Sequence, residues 1–546
     1  MPVFWCCRCQ TPTATTTCGA CGRQTRLLNE RGRLRPVFAE ELELVEQWTG
    51  RPLVEPAADL ALWRNGRDYY FEGQRVASVT GGGWASTPSL RVRDQELWRT
   101  LHAEGRRRKP ATLRRTLAES VERLRAANRR ALARLEADAV VFLRQQRQVH
   151  PDRRVVVSWS GGKDSTVVSL LTREALCDAQ VLHVFGDTTI EAPSTYAYFA
   201  EFRERHPAVP FAVGLPARDF FDLCREIGPP SRVQRWCCST HKTAPLSNIM
   251  RAVGDGRGVL SVTGLRRDES LRRASYAPVI ADSKIAAQLM VNPILDWTEF
   301  EVWAHLLASG EPINDGYRLG MNRIGCAYCP MNSAWWDAIF GTKWHAEQTR
   351  WERVLLDFAE ACNVPSPATY VSGGGWKRRV GGQGFSSNSQ SSRDVFYDVG
   401  ESDCLTDDRV VSFELGKRFT VDRLAQILRP FGDVKIVKHD GMVARAEVSG
   451  LRGQFSVQAS PQRRHLRVTF RTPASRRLHG TIRAQLRKLQ SCVGCGACAS
   501  RCPVGAITEV GDSYRVADSC EQCLRCVRNL KAGCVAADSV HGRVAK

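Results

Sequence analysis

The sequence predicts an α/β protein built on a doubly wound parallel sheet, with small α+β accessory domains and cysteine-rich modules at both ends. Three observations predict it. Apolar runs recur at 155–159, 181–185 and 259–263 with helical patterns between them, the alternation of parallel strands joined by crossover helices. Two CxxC pairs open the chain, and two CxxCxxC runs close it.

Composition sets the frame. The 546 residues are enough for about three to four domains. Hydrophobic residues at 43% and charged residues at 25% are ordinary for a globular protein. The net charge of +21 favours polyanionic partners: nucleotides, nucleic acid or acidic proteins. The N-terminus lacks the layout of a secretory signal, and no run of 18 apolar residues is present. No membrane association and a cytoplasmic location are therefore expected. The 21 cysteines then point to metal rather than disulfides.

In residues 1–28, Cys6, Cys9, Cys18 and Cys21 have zinc-ribbon spacing, with Cys7 as an alternative to Cys6. Residues 36–105 suggest a small β-rich domain: a helix over PVFAEELELVEQW, then strands joined by Asn-Gly and Glu-Gly turns. Residues 110–148 predict one long helix. Leu113, Leu117, Val121 and Leu124 keep helical spacing, and arginine fills a face that is either solvated or a basic surface.

The next stretch organises the chain. Val155, Val156 and Val157 suit a buried strand, Ser160-Gly161-Gly162-Lys163-Asp164-Ser165 follows at once, and a helical pattern begins at Thr166. Strand, glycine turn and helix N-terminus together cradle an anion: backbone N–H groups converge, the helix dipole adds positive charge, and Lys163 adds a full one. The spacing is not that of a Walker loop. It resembles the PP-loop of ATP pyrophosphatases, which implies that Ser160–Ser165 hold the phosphates of ATP, with Mg²⁺ placed by Asp164 and Asp187. Asp187 follows the second strand, and Thr263-Gly264-Leu265-Arg266-Arg267 follows the third. Three segments at three strand ends share one crevice.

Further blocks appear in order: RWCCSTHK at 235–242, TGLRRDES at 263–270, NPILDWTEFEVW at 292–303 and GCAYCP at 325–330. Within residues 150–365 they resemble the signature blocks of the PAPS/APS reductase family, a branch of the PP-loop, adenine nucleotide alpha hydrolase-like fold. The resemblance implies that Arg235, Lys242, Arg266 and Arg267 line the nucleotide or acceptor side. It also implies a [4Fe-4S] cluster on Cys237, Cys238, Cys326 and Cys329, with structural zinc as the alternative; on a strand the adjacent pair would diverge.

Residues 366–405 are Gly/Ser-rich and read as a linker. Cys404, just beyond that stretch, is a candidate nucleophile. Reductases of the family carry theirs in a Glu-Cys-Gly-Leu-His motif, which this sequence lacks. Residues 408–490 suggest a basic α+β domain. In 491–546, Cys492-x2-Cys495-x2-Cys498-x3-Cys502-Pro503 is a bacterial ferredoxin run, repeated by Cys520-x2-Cys523-x2-Cys526 with Cys534 seven residues further on. The fourth cysteine of each run serves the other cluster, so Cys492, Cys495, Cys498 and Cys534 would hold one [4Fe-4S] cluster, and Cys502, Cys520, Cys523 and Cys526 the second. Ribbon and ferredoxin together resemble archaeal-type members of the family.

The full SGGKDS loop and the missing Glu-Cys-Gly-Leu-His motif predict cleavage of ATP. By resemblance to tRNA thiolation and DNA phosphorothioation enzymes, Lys163 and Asp164 would serve adenylation of an acceptor, with nucleic acid a candidate, followed by iron–sulfur-dependent sulfur transfer from a donor protein. Reduction of APS or PAPS to sulfite is the alternative. A redox-sensing nucleic-acid binder is a third.

Overall fold

The computed structural model describes residues 2–50, 60, 62–99, 110–281, 283–379, 399–403, 407, 409–440, 442–451, 453–473, 475–528, 530 and 532–540. The ribbon is a three-stranded antiparallel sheet with β1 (Val3–Cys6) between β2 (Thr11–Thr13) and β3 (Arg26–Asn29). A five-stranded antiparallel sheet follows: β4 (Arg35–Pro36), β5 (Leu62–Asn65), β6 (Asp68–Phe71), β7 (Gln74–Gly83) and β8 (Ser86–Val92), with helix α1 (Ala39–Thr49) after β4. Gly66 at φ 59° turns β5 into β6. Glu72 and Gly73, at φ 50° and 73°, turn β6 into β7, as the Asn-Gly and Glu-Gly pairs predict.

Helix α2 (Pro110–Val149) links the ribbon to the main sheet. Near the ribbon, Asn128 Nδ2 donates to the Pro12 carbonyl at 3.0 Å, and its Oδ1 accepts the Ala14 N–H at 2.8 Å. Further along, Ala139, Val140 and Leu143 pack against Val157, Val167 and Leu171. The apolar stripe is thus buried against two partners. The arginine face is solvated, with the side chains of Arg125 and Arg134 60% and 85% exposed.

The central sheet comprises β9 (Arg154–Trp159), β10 (Leu182–Gly186), β11 (Phe211–Gly214), β12 (Val259–Val262), β13 (Val279–Ile280) and β14 (Gln288–Val291). Its order is β11–β10–β9–β12–β14–β13, parallel throughout except for β13 at the edge. After β9 the chain builds outward through β10 and β11, then crosses back to lay β12 and β14 on the other side. The switch point lies between β9 and β12, where ligands of such sheets bind. Helices α3 (Lys163–Leu176), α4 (Pro193–Arg205), α5 (Phe220–Ile227), α6 (Ala244–Gly254) and α7 (Glu299–Ser309) surround it. Val167, Val168 and Leu171 of α3 share one apolar cluster with β9 and α7, and Met250 of α6 joins Val156, Val184 and Val259 in another. Four further helices complete this part: α8 (Asp315–Arg318), α9 (Ala334–Lys343), α10 (His345–Ala361) and α11 (Pro367–Ser372).

The remainder is a six-stranded antiparallel sheet and a cysteine-rich module. The strands are β15 (Val399–Asp403), β16 (Val410–Leu415), β17 (Asp433–His439), β18 (Ala444–Gly450), β19 (Gly453–Ser460) and β20 (His465–Phe470), with helices α12 (Val421–Leu428) and α13 (Arg476–Ser491). The module adds the hairpin β21 (Ile507–Val510) and β22 (Ser513–Val516) and the short helices α14 (Arg525–Arg528) and α15 (Val535–Val540).

Three expected boundaries change. The linker expected over 366–405 is folded at both ends: α11 and the buried Trp376 belong to the part built on the central sheet, and β15 pairs with β16. The basic domain therefore starts before residue 408. Ile482, Leu486 and Leu489 share one apolar cluster with Ile507, Tyr514 and Val516, so 408–490 and 491–546 share a core. The 36–105 segment likewise shares its core with Phe220, Trp336 and Trp351.

Glu41 anchors that last junction. Its carboxylate accepts from Arg35 at 2.6 and 2.9 Å, from Arg64 at 2.5 Å and from the Tyr69 hydroxyl at 2.7 Å. Arg35 also donates to the Gly320 carbonyl at 3.0 Å. Burial raises the pKa of Glu41, but Arg35 and Arg64 outweigh it and hold the carboxyl down at about 2. A depressed carboxylate stabilises the fold above its unfolded pKa, near 4.5, and this contribution fades as pH falls toward 2. Glu41→Gln should destabilise the fold by about 3 kcal/mol at neutral pH, read as a lower urea midpoint by tryptophan fluorescence. The gap between variant and parent should narrow below pH 4.5.

Candidate functional site

β9 ends at Trp159, and the chain turns through Ser160, Gly161 and Gly162 into α3, whose first residue is Lys163. Gly161 sits at φ 69°, a conformation that favours glycine, and a Cβ there would stand 3.0 Å from Thr195 Cγ2. Ser165 Oγ donates to the Gly162 carbonyl at 2.8 Å and accepts the Ser160 N–H at 3.2 Å. From outside the loop, Asn314 Nδ2 donates to the Gly161 carbonyl at 3.1 Å, and the Tyr317 hydroxyl accepts the Lys163 N–H at 3.1 Å. The cradle is held rigid by its own helix and by α8.

Its charges are arranged around Asp164. Lys163 Nζ donates to Asp164 Oδ2 at 3.0 Å, and Arg266 Nε, arriving from beyond β12, donates to Oδ1 at 2.6 Å. The cationic side chains are only 4% and 3% exposed. Burial opposes ionisation, but Lys163 and Arg266 hold the Asp164 carboxyl down at about 2. Burial also opposes the Lys163 charge, and Asp164 and Tyr317 outweigh it. Arg266 also reaches a second carboxylate: its Nη1, buried and without a hydrogen bond, forms an ion pair with Asp268 at 3.5 Å. Close approach of backbones makes this possible: a Cβ on Gly264 would lie 2.8 Å from the Asp164 carbonyl carbon.

Other expected site residues stand further out. Asp164 bridges the two cations, accepting from Lys163 and from Arg266. Asp187 is half-buried and accepts from the Thr189 N–H at 2.7 Å and the Tyr196 hydroxyl at 2.9 Å. Arg267 turns away from the crevice: it donates to the Tyr276 carbonyl at 3.2 and 3.0 Å and pairs with Asp296, clamping the loop beyond β12. Arg235 and Lys242 are exposed beside Cys238. Cys404 lies outside the described residues.

Cys237 interacts electrostatically with Cys238, Cys326 and Cys329. Cys237 and Cys238 lie on no strand: a π-helical turn, Cys238–Thr243, runs directly into α6 and brings both thiols to one side. Cys326 and Cys329 sit on a turn pinned to the segment after β10, where the Ala327 N–H donates to the Ile190 carbonyl at 2.7 Å and the Ala192 N–H to the Gly325 carbonyl at 3.2 Å. The hydrogen bond from Cys237 draws the Cys238 thiol down to about 6 against the opposing effect of burial, and Lys242, Arg235 and Lys284 add to the pull. Burial pushes the Cys326 thiol well up. Four sulfur donors ringed by cations match the chemistry of an anionic thiolate-bound cluster.

At the C-terminus cysteines of the two runs interact with one another across the module. Cys492, Cys495, Cys498 and Cys534 line one small cavity. Cys502, Cys520 and Cys523 interact electrostatically, as do Cys502, Cys520 and Cys526. Cys534 immediately precedes α15. Gly494, at φ 64°, allows the Gly511 carbonyl to approach to 2.1 Å of where a Cβ would be. The module docks on the part built on the central sheet: Arg251 of α6 donates to the Ala499 and Cys502 carbonyls at 3.0 and 3.1 Å, and Arg218 to the Val493 carbonyl at 2.7 Å.

In the ribbon, the sulfurs of Cys6, Cys9, Cys18 and Cys21 lie within 4.8 Å of one another, the spacing of four ligands around one tetrahedral ion, and the group fits a zinc ribbon. Cys7 is exposed and outside the group, which leaves Cys6 as the ligand.

Several residues of the site carried no signal in the sequence. Asn314 and Tyr317 act on the loop from some 150 positions away. Glu191 is buried against Cys326, accepting from the Thr188 hydroxyl at 2.8 Å; burial raises its carboxyl pKa, partly offset by Lys242. Its place became predictable only once Cys326 was paired with it in the fold.

Comparison with known proteins agrees with this architecture. Residues 154–332 match the phosphoadenosine phosphosulfate reductase domain, and residues 489–508 match the 4Fe-4S binding domain. An uncharacterised protein of Methanocaldococcus jannaschii is 32% identical over 260 residues, 47% of this chain and 52% of its own length. The chain thus spans about half the length of that relative. The adenosine 5'-phosphosulfate reductase of Geobacillus kaustophilus is 27% identical over 177 residues, 32% of this chain and 72% of its own. Among solved structures, the phosphoadenylyl-sulfate reductase of Candida auris aligns at 16% identity over 31% of this chain and 80% of its own, with a TM-score of 0.25. The chain carries a PAPS-reductase-type PP-loop domain and a 4Fe-4S ferredoxin motif, with an N-terminal cysteine cluster. Among the described residues no helix is long and apolar enough to cross a membrane.

Among the described residues, the ribbon's four cysteines belong to a segment with a three-stranded sheet of its own. Cys18→Ser should release zinc from the anaerobically purified chain while leaving its iron content unchanged, as read by elemental analysis. Loss of iron together with zinc would contradict the separation of the sites.

Proposed function

We propose that the PP-loop domain binds ATP with its phosphates on Ser160–Ser165 and transfers the adenylyl group to an acceptor oxygen, with release of pyrophosphate. The acceptor oxygen bonds to the α-phosphorus as the bond to the β-phosphate oxygen breaks, and pyrophosphate leaves with the electron pair. A sulfide sulfur then bonds to the activated acceptor as the bond to AMP breaks, and AMP leaves with the electron pair. The observation that carries this reading is the ion-paired Lys163–Asp164–Arg266 triad at the loop, with both of its cations buried. Two fixed cations at the mouth of a helix suit the charge that develops on departing pyrophosphate. Asp187, at the end of β10, is a second carboxylate for Mg²⁺.

The four central cysteines are the proposed ligands of a [4Fe-4S] cluster beside the nucleotide crevice, where it supplies an electron- or sulfide-accepting centre. Glu191 and Lys242 flank it and set the local charge. The two C-terminal quartets are the proposed ligands of two further clusters that connect this centre to an electron donor.

A second reading, reduction of APS or PAPS to sulfite, is favoured by the names of the relatives, several of them adenosine 5'-phosphosulfate reductases. One experiment separates the two. The anaerobic protein is offered ATP, APS and PAPS, with and without nucleic acid, and pyrophosphate and sulfite are measured. Pyrophosphate from ATP is expected; sulfite from APS or PAPS without any turnover of ATP would select the second reading. Lys163→Ala should slow pyrophosphate release by about 100-fold. Gly264→Ala should weaken nucleotide binding at least about tenfold, because its Cβ displaces the Asp164 backbone.

A further inference from the structure

Lys488 lies on the last turn of α13, four residues before Cys492, and its side chain turns inward. The residue is 1% exposed. Its Nζ donates to the Cys526 carbonyl at 3.1 Å and stands 5.3 Å from the centre of the Tyr514 ring. The same side chain lines the cavity enclosed by Cys492, Cys495, Cys498 and Cys534. It therefore touches both quartets, facing one and bonding to the backbone of the other. Its electrostatic partners are Tyr514, Cys498, Cys526 and Cys534. Among the described residues no carboxylate pairs with it.

An ammonium buried without an acidic partner needs anionic charge close by. Gln485, one turn earlier, is buried too, but it is neutral and donates to the Ile427 carbonyl at 2.6 Å, as packing alone requires. A cubane held by four thiolates is net anionic, and reduction adds one more negative charge. A fixed cation within reach of two such groups stabilises the reduced form of each. Resting on the reading of these quartets as [4Fe-4S] ligands, we propose that Lys488 is a shared redox-tuning residue whose ammonium raises the reduction potentials of both C-terminal clusters.

The test is a dithionite titration of the full-length, anaerobically prepared chain followed by EPR. Each cluster gains one electron as dithionite is oxidised. Lys488→Met keeps the length of the side chain and removes the charge. It should lower the equilibrium constant for reducing each C-terminal cluster at least about tenfold, equivalent to 59 mV for a one-electron couple, while the central centre stays unmoved. Lys488→Arg should remain within about threefold of the parent. Unchanged potentials in a fully iron-loaded Lys488→Met protein would overturn the proposal, as would an equal shift in Lys488→Arg. Should Lys488→Met fail to hold its clusters, Lys488→Arg decides: parental potentials support the charge role, and loss of the clusters there as well overturns it. A parent chain without [4Fe-4S] signals from this module removes the premise itself, a result separable from all the others.

Discussion

The salt bridge from Arg266 to Asp164 fastens together the two halves of the central sheet. Arg266 belongs to the segment after β12, and Asp164 to the helix after β9. These are the neighbouring strands between which the direction of winding reverses. The crevice at such a reversal is open by construction, since the two following connections diverge. Gly264 lets the second connection approach the first until backbones touch, and the ion pair then fixes the distance. Lys163 is held by the same carboxylate, so one buried anion orients both cations that face the loop. In water such pairs contribute little; with side chains 3–4% exposed, they are screened far less.

The same connections couple the crevice to the cysteine centre. The segment after β10 begins with Asp187 and runs to Ala192, where it pairs with the turn that carries Cys326. A displacement of that turn is therefore felt at the end of β10. On the opposite side, Cys238 begins the π-helical turn that feeds α6, and α6 in turn holds the C-terminal module through Arg251. A continuous path of packed elements leads from nucleotide loop to central thiols to ferredoxin module.

Much of this was legible in the sequence, for identifiable reasons. The strands at β9, β10 and β12 declared themselves because parallel strands buried on both faces are apolar without alternation. The cysteine runs were legible because such motifs are set by local spacing. What stayed hidden depends on tertiary contact. Arg267 and Arg266 are adjacent, yet one serves the crevice and the other clamps a loop; only the position of Asp296 and Tyr276 distinguishes them. Cys237 and Cys238 sat in a string with no clear helical period, because a π turn breaks it. The glycine-rich stretch looked like a linker, but Trp376 and β15 draw its ends into two different cores.

Charge ties these features together. The chain has a net charge of +21, and a large positive excess would ordinarily strain a compact fold through self-repulsion. Cysteine is counted as neutral in that sum, yet sixteen of the 21 lie in metal-ligand patterns, and a ligating thiol is deprotonated. The cations are placed to match: Arg235, Lys242 and Lys284 stand around Cys238, and Lys488 stands between the two C-terminal quartets. Part of the excess is thus answered internally, at the thiols, rather than by an external polyanion. This weakens the inference from net charge to nucleic-acid binding and moves the question of the acceptor to the crevice itself, where Lys163, Asp164, Arg266 and Asp268 form one chain of ion pairs.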